Sequence, residues 1–425
     1  MNQEQGNEAN PAGSQERYDQ AAHESTTPAP RSASGPLQGL RVLDLSRLLP
    51  APLAGMLLAD MGADVIKVER PSEPDYVRHY PPFIDGQSAY YHALNRSKRS
   101  LALDTKSAEG LELFFQLIER SDIVLESFRP GVLDKLGMGY TTARQRNPRI
   151  IYASVTGYGQ SGPYAQRAGH DLNYMGYAGL LSLTADSQGR PMQPGLQIAD
   201  IAGGSYAVLS GILAALWHRE RTGEGQHVDV AMTEAVRLLS VLPSAEWEAT
   251  GQLPVPGKGP LTGGLATYGL YQCRDGGWMA LGALEPKFWT RFCQAAGVPE
   301  WGVRMLPDPE TQQALRLDLE QLFAGRDRSE WVQLGAESDC CLSPVLNLEE
   351  AENNAHLDAL RGAEACKTDP PLALRGVPLP WRFSASPAKP RHSAPTLGKD
   401  TQAILNELAI PMELQEKLRQ TGQIR

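Results

Sequence analysis

The chain is predicted to be an α/β protein, with a doubly wound, mostly parallel sheet followed by a smaller α+β unit. Two observations predict it. From Leu37 to Val155, short apolar runs of strand type alternate with segments whose apolar residues recur at helical spacing. That alternation is the pattern of βαβ units. Beyond Pro260 it gives way to a hairpin pattern, YGLYQCRDGGWMALGAL, with Asp275-Gly276 at the turn.

Taken in order, LRVLDLS reads as a strand, PLAGMLLADMG as a short helix and DVIKVER as a second strand. The intervening turn lacks GxGxxG, so it carries no dinucleotide fingerprint. An irregular aromatic segment leads to a third strand, SLALDT, and a helix, SAEGLELFFQLIERS. DIVLESF is a strand, GVLDKLG a helical turn, and RIIYASV the strand that opens a glycine-rich loop. AGGSYAVLSGILAALWHRE reads as a small-residue helix, QHVDVAM as a strand, and residues 244–260 as an irregular connection. After the hairpin, FWTRFCQAAG forms a helix, and DTQAILNELA and MELQEKLRQTG close the chain as two short helices. Residues 1–36, polar and rich in Gly, Ser, Pro, Gln and Glu, cannot bury enough apolar surface to order themselves and are expected to be disordered.

Composition excludes several functions. The 425 residues carry 40 Lys and Arg against 49 Asp and Glu, a formal charge of −9, which argues against nucleic acid as a partner. The five cysteines have no CxxC spacing, and two are adjacent, as suits reduced thiols in a cytoplasmic protein. No apolar run is read as membrane-spanning, no signal peptide is seen, and no metal-ligand spacing occurs.

The chemistry concentrates between Arg149 and Tyr206. The strand ending at Val155 runs into Gly157-Tyr158-Gly159-Gln160-Ser161-Gly162-Pro163, and His170 follows. Asp200 stands in an apolar run just before Gly203-Gly204-Ser205. A histidine and a carboxylate at the edges of glycine-rich loops are suited to acid/base work. The plainer readings are a structural histidine, an aspartate N-cap and, for Glu285, a first-turn acid favoured by the helix dipole. Tyr158 and Tyr174 are core or pocket residues. Gly203-Gly204-Ser205 lacks the closing glycine of a nucleophile elbow.

Six blocks, in order, carry a resemblance: GLRVLDLSRLLPAPLAGMLLADMGADVIKVERP, NRSKRSLALDTKSAEG, ESFRPGVLDKLGMGY, YASVTGYGQSGPY, LWHRERTGEGQHVDVAM and LGKDTQAILNELAIP. The chain from Leu37 onward resembles the family III CoA transferases (the CaiB/BaiF group), and within it the α-methylacyl-CoA racemase branch. The resemblance implies an interlocked homodimer whose active sites lie between subunits. It divides the chain into a Rossmann-like large domain (37–229), a linker (230–260), a small α+β domain (261–343), a second linker (344–373) and a C-terminal part (374–425) that returns to the large domain. AGHDLNY sets His170 on the racemases' catalytic histidine, and QIADIAGGS sets Asp200 on the family's catalytic aspartate. ALGALEPKFW sets Glu285 on the glutamate that meets that histidine from the other subunit. The segment from Pro71 to Ala93 is shorter in compact racemases and present in many transferases.

The two chemistries make different demands. A racemase needs two bases on opposite faces of a planar enolate and donors for its oxygen. His170 and Asp200 fit the bases, and N–H groups near Gly203-Gly204 are the expected donors. A transferase needs only a carboxylate nucleophile, which Asp200 supplies. CoA enters either reaction as part of the substrate, so no cofactor is implied. By the same resemblance Arg70, Arg129 and Lys135 face CoA, with Arg96 and Arg99 as further candidates. A CoA-binding protein without turnover would not require both His170 and Asp200, and a nicotinamide enzyme would be expected to carry the missing glycine fingerprint.

Overall fold

A computed structural model describes residues 35–186, 188–305, 308–361, 372–374 and 376–425. The tail expected to be disordered, 1–36, lies outside them apart from its last two residues. In the large sheet, β1 (Arg41–Asp44) is followed by β2 (Asp64–Glu69). A small ribbon of β3 (Phe83–Ile84) and β4 (Gln87–Ser88) interrupts the connection to β5 (Arg99–Ala102). β6 (Ile123–Glu126), β7 (Ile151–Thr156) and β8 (His227–Ala231) complete the sheet. Its order is β5-β2-β1-β6-β7-β8, and every pair is parallel. In chain order the six strands therefore stand third, second, first, fourth, fifth and sixth. The winding reverses between β1 and β6, and a doubly wound sheet offers its ligand crevice above the strand ends at that point.

Alternation along the strands explains the two-sided core. Val42, Val65, Ile123 and Ile151 point into one buried cluster, while their neighbours Leu43, Ile66, Val124 and Tyr152 point into the other. The first is covered by the helices Pro50–Asp60 and Ala207–Thr222, the second by the helix Ala108–Ile118 and the chain's C-terminal residues. Edge strand β5 is not left open. Asp400 accepts the N–H of Ser100 at 2.8 Å, Thr401 accepts that of Ala102 at 3.1 Å, and Leu103 bridges to Ile424. This seals the edge against other chains.

The smaller sheet is antiparallel, β11-β10-β9, built from β9 (Tyr268–Gln272), β10 (Trp278–Gly282) and β11 (Leu342–Pro344). The expected turn lies between β9 and β10, where Gly276 takes a φ of 81°. Helices Pro286–Ala296, Pro309–Ala324 and Arg328–Ser338 surround a separate core in which Trp289, Phe292, Phe323 and Trp331 stack at 4.5–6.3 Å.

Some elements differ from expectation. The connection read as irregular from 244 is helical as far as Thr250, in a helix beginning at Val241. None of its residues is buried, so it shows no inward apolar stripe. The helix expected to open at Gly203 starts at Ala199 with a π-helical turn to Tyr206, then continues as an α-helix to Thr222. That 24-residue segment is apolar and long enough to cross a membrane by length and composition, although no such run was expected. Half of its most apolar stretch is buried within the fold, and it packs on β7 and β8.

Candidate active site

A cavity of about 550 Å³ opens at the carboxyl ends of β1, β6 and β7, at the reversal of the sheet. Its wall comes from the loop after β1 (Arg47, Leu48, Pro50), the loop after β6 (Ser127 to Pro130), the end of β7 with Gly157 and Tyr158, and the segment from Ala165 to Tyr174. Asp200 completes it, so the structure brings His170 and Asp200 to one cavity.

Local geometry explains how each arrives. After β7, Thr156 Oγ1 accepts the N–H of Gly159, and Gly159 and Gly162 take φ of 84° and 95°, conformations open chiefly to glycine. At Gly157 a Cβ would stand 2.2 Å from the ring of Tyr174, so a side chain there would displace the ring from the cavity wall. Tyr158 and Tyr174 both line the cavity, and with Tyr164 and Tyr177 they form a ring cluster with centroids 4.9–5.9 Å apart. His170 occupies the N-cap position of the helix Asp171–Tyr177, and its backbone N–H donates to Asn173 Oδ1 at 3.0 Å.

Asp200 is the second residue of the π-helical turn. Ile198 holds the N-cap position, so the N-cap reading of Asp200 does not hold. Such turns recur at functional sites. Gly203 and Gly204 permit this one. A Cβ on Gly203 would lie 2.8 Å from the Met232 carbonyl, and one on Gly204 would lie 2.6 Å from Pro50 Cβ. Both glycines are buried against these neighbours and neither lines the cavity, which corrects their expected role as oxyanion donors. The Asp200 backbone N–H donates to Asp171 Oδ1 at 2.9 Å. Burial, then the negative charge of Asp171, pushes the Asp200 carboxyl up to about 7. A carboxyl so placed can both accept and return a proton near neutrality.

The basic residues divide. Arg129 lines the main cavity and makes no ion pair among the described residues. Arg70 lines an adjoining cavity of about 250 Å³ at the ends of β1, β2, β5 and β6, where it meets Asp104 at 3.1 Å. Lys135 is exposed on the short helix Val132–Lys135, whose Val132 and Leu133 line that second cavity. Arg96 is buried, bonded to Asp60 at 2.9 Å and to the Val377 carbonyl, so its guanidinium is committed to the interior and lines neither cavity. Arg99 joins Asp64 and Glu407 in a network that ties the C-terminal helix Thr401–Glu407 to the sheet. Glu285 is exposed at the N-cap of Pro286–Ala296 and lines neither cavity.

Sequence reasoning missed Arg47, which lines both cavities and lies over the Phe128 ring at 5.3 Å. Its position directly after β1 was the available signal. It also missed Arg167 in the cavity wall, with its guanidinium 3.8 Å from the Tyr164 ring centroid. Glu126 was missed too. It is buried at the end of β6, accepts the N–H of Phe128 at 2.7 Å, and burial pushes its carboxyl up to about 7. Behind the loop after β1, Lys67 is wholly buried, donates to the Ser46 carbonyl at 2.7 Å and pairs with Asp75 at 3.1 Å. Among the described residues no cluster of three or more His, Cys, Asp or Glu is arranged to hold a metal ion.

The model of CoA-transferase family III matches residues 37–401. The chain belongs to CoA-transferase family III. Among its curated relatives is the alpha-methylacyl-CoA racemase of Homo sapiens, 35% identical over 382 residues, covering 89% of this chain and 94% of that protein. Another is the succinate–glutarate CoA-transferase of Agrobacterium fabrum, 34% identical over 391 residues, covering 88% of this chain and 96% of that protein. A solved CaiB/BaiF family protein from Brucella suis superposes with a TM-score of 0.76 at 32% identity, covering 88% of this chain and all of that one. Family III thus contains relatives named for racemisation and relatives named for CoA transfer at nearly equal identity.

Proposed function

We propose that this family III member is a 2-methylacyl-CoA racemase working by two-base proton transfer. The observation that carries the reading is that His170 and Asp200 line one cavity, with the Asp200 carboxyl pushed up to about 7. One base takes the α-proton of the thioester, the electron pair passes to the thioester oxygen as an enolate, and the conjugate acid of the other base returns a proton to the opposite face. The N–H groups of Asp171 and Leu172, which open the helix beside His170 and precede its first intrahelical bond, are suited to that oxygen. Arg129, Arg70 and Lys135 are assigned to the CoA phosphates, with Arg47 added from the cavity wall.

The working form is proposed to be a cytoplasmic homodimer in which Glu285 of a second copy orients His170. Supporting this, Glu285 is exposed, and large apolar side chains stand open on the helices after Asp200. Trp217, Leu238 and Leu242 are 67%, 76% and 66% exposed.

CoA transfer is the second reading, favoured by the transferase relatives. The Asp200 carboxylate would then attack the thioester carbonyl, releasing CoA thiolate and forming a mixed anhydride. The thiolate would attack that anhydride to give an aspartyl thioester and free the first acid. The acceptor carboxylate would next displace the thiolate as a new anhydride, and the thiolate would close the cycle.

The deciding experiment incubates a 2-methylacyl-CoA in deuterated water without an acceptor acid. Deuterium at the α-carbon with both epimers appearing supports racemisation, and His170→Ala should abolish it. Absence of exchange, with CoA passing to an added carboxylic acid, would replace the racemase reading by the transferase one.

A further inference from the structure

Asp171 is separated from Asp200 by 29 residues in sequence, yet its Oδ1 accepts the Asp200 backbone N–H at 2.9 Å. Two features make this more than a local turn. Asp200 belongs to the first turn of a helix running on to Thr222, where backbone N–H groups lack intrahelical partners. A carboxylate reaching in from another helix satisfies one of them at the positive end of the dipole. In addition, Asp171 makes no ion pair among the described residues, and its negative charge acts on the Asp200 carboxyl.

We infer that Asp171 is a positioning residue for Asp200: its carboxylate clamps the Asp200 backbone and holds a negative charge beside the Asp200 side chain. The inference rests on the proposed function only in taking Asp200 as the reacting carboxylate, which both chemistries require.

The surroundings single out Asp171. The elements packed on the π-helical turn also carry Asp60, His227, Asp229, Glu234 and Arg237, and the helix that continues it carries His218, Arg219, Glu220 and Arg221. The cavity wall adds Arg47, Arg129, Arg167, His170 and Tyr174. Of these groups it is Asp171 whose charge acts with burial to push the Asp200 carboxyl up. The Tyr174 phenol is itself pushed up, by burial first and by Asp200 next. An ordinary first-turn acid would support its own helix and leave the titration of Asp200 unmoved.

The test separates clamp from charge. Asp171→Asn keeps an oxygen acceptor for the Asp200 N–H and removes the charge, whereas Asp171→Ala removes both. The pH dependence of kcat/KM is measured for both variants, by α-proton exchange and by CoA transfer in parallel. In Asp171→Asn the limb belonging to Asp200 should move to lower pH by on the order of one unit. Asp171→Ala should show the same movement together with a fall in kcat of at least about tenfold, as a misplaced reacting group does. A limb that stays in place in Asp171→Asn overturns the inference, as does an Ala variant that loses thermal stability alone.

Titration of ¹³Cγ-labelled aspartates by NMR, with Asp200→Asn assigning the signal, provides a readout independent of turnover. If neither reaction is catalysed the functional reading fails. The NMR midpoint of Asp200 in wild type against Asp171→Asn then still upholds or overturns the role of Asp171.

Discussion

Glu126 offers a prediction whose size follows from its surroundings. The residue ends β6, is 5% exposed, and its Oε2 holds the Phe128 N–H in the loop that carries Arg129 into the cavity wall. Burial raises its carboxyl from 4.5 to about 7, against the opposing hydrogen bonds from Ser154 and Phe128, with Asp134 and Asp229 adding to the rise. The folded value lies above the unfolded one, so the folded chain keeps a proton that the unfolded chain has released. Stability from this group is complete below about pH 4.5 and is lost as the pH rises through about 7. A displacement of about 2.5 pH units, at about 1.4 kcal/mol each, amounts to about 3 kcal/mol.

Glu126→Gln retains an acceptor for Phe128 and cannot ionise. Urea unfolding of both proteins should therefore show the variant gaining on wild type by about 3 kcal/mol between about pH 4.5 and about pH 8. Parallel stability curves for the two proteins across that range would refute the reasoning.

Three other substitutions probe the cavity walls and their supports. Gly203→Ala forces a methyl to within 2.8 Å of the Met232 carbonyl, and the strain should cost about 1–3 kcal/mol in thermal unfolding and lower kcat by shifting Asp200. Arg47→Ala should raise KM for a CoA thioester about tenfold with little change in kcat, an effect that high salt should shrink in steady-state assays. Lys98→Met leaves the buried Asp44 carboxylate without its partner at 2.7 Å, which should cost about 3–5 kcal/mol of unfolding free energy, measured by urea titration.

Much of this architecture was legible because it follows from periodicity. β1, β2, β6 and β7 are short apolar runs, and Ala108–Ile118 shows a clear apolar face, so the alternating pattern located them. The helix Val241–Thr250 was not legible, because its apolar residues face outward and mark no core side. The π-helical turn at Asp200 depends on contacts that Gly203 and Gly204 make with Met232 and Pro50, distant in sequence. The basic run NRSKRS, source of the CoA candidates Arg96 and Arg99, does not reveal its ion pairs for the same reason. Its partners Asp60, Asp64 and Glu407 come from elsewhere in the chain and draw Arg96 and Arg99 into ion pairs. His170 and Asp200 stood out through their flanking motifs, whereas Arg47 and Glu126 are single charged residues at strand ends.

Those strand ends share one construction. Ser46 N–H is held by Asp44 at 3.0 Å, Leu48 N–H by Asp75 at 3.3 Å, Phe128 N–H by Glu126 at 2.7 Å, Gln160 N–H by Asp229 at 3.0 Å and Asp200 N–H by Asp171 at 2.9 Å. Loops that form a cavity have no ladder to hold them, and a carboxylate that accepts their N–H groups substitutes for one. The arrangement has an electrostatic consequence. A ring of acids beneath the loops opposes an anionic ligand such as a CoA thioester, in a chain whose formal charge is already −9. Lys67 and Lys98 answer two of these acids from within. Arg47, Arg129 and Arg167 stand on the cavity side, where they offset the field that a ligand meets. Among the described residues Glu126, Asp171 and Asp229 have no lysine paired with them, and at two of these three places a carboxyl, that of Glu126 or of Asp200, is pushed up to about 7. The scaffold that fixes the loops thereby also brings carboxyl titration into the neutral range beside the cavity, which is what proton transfer at Asp200 requires.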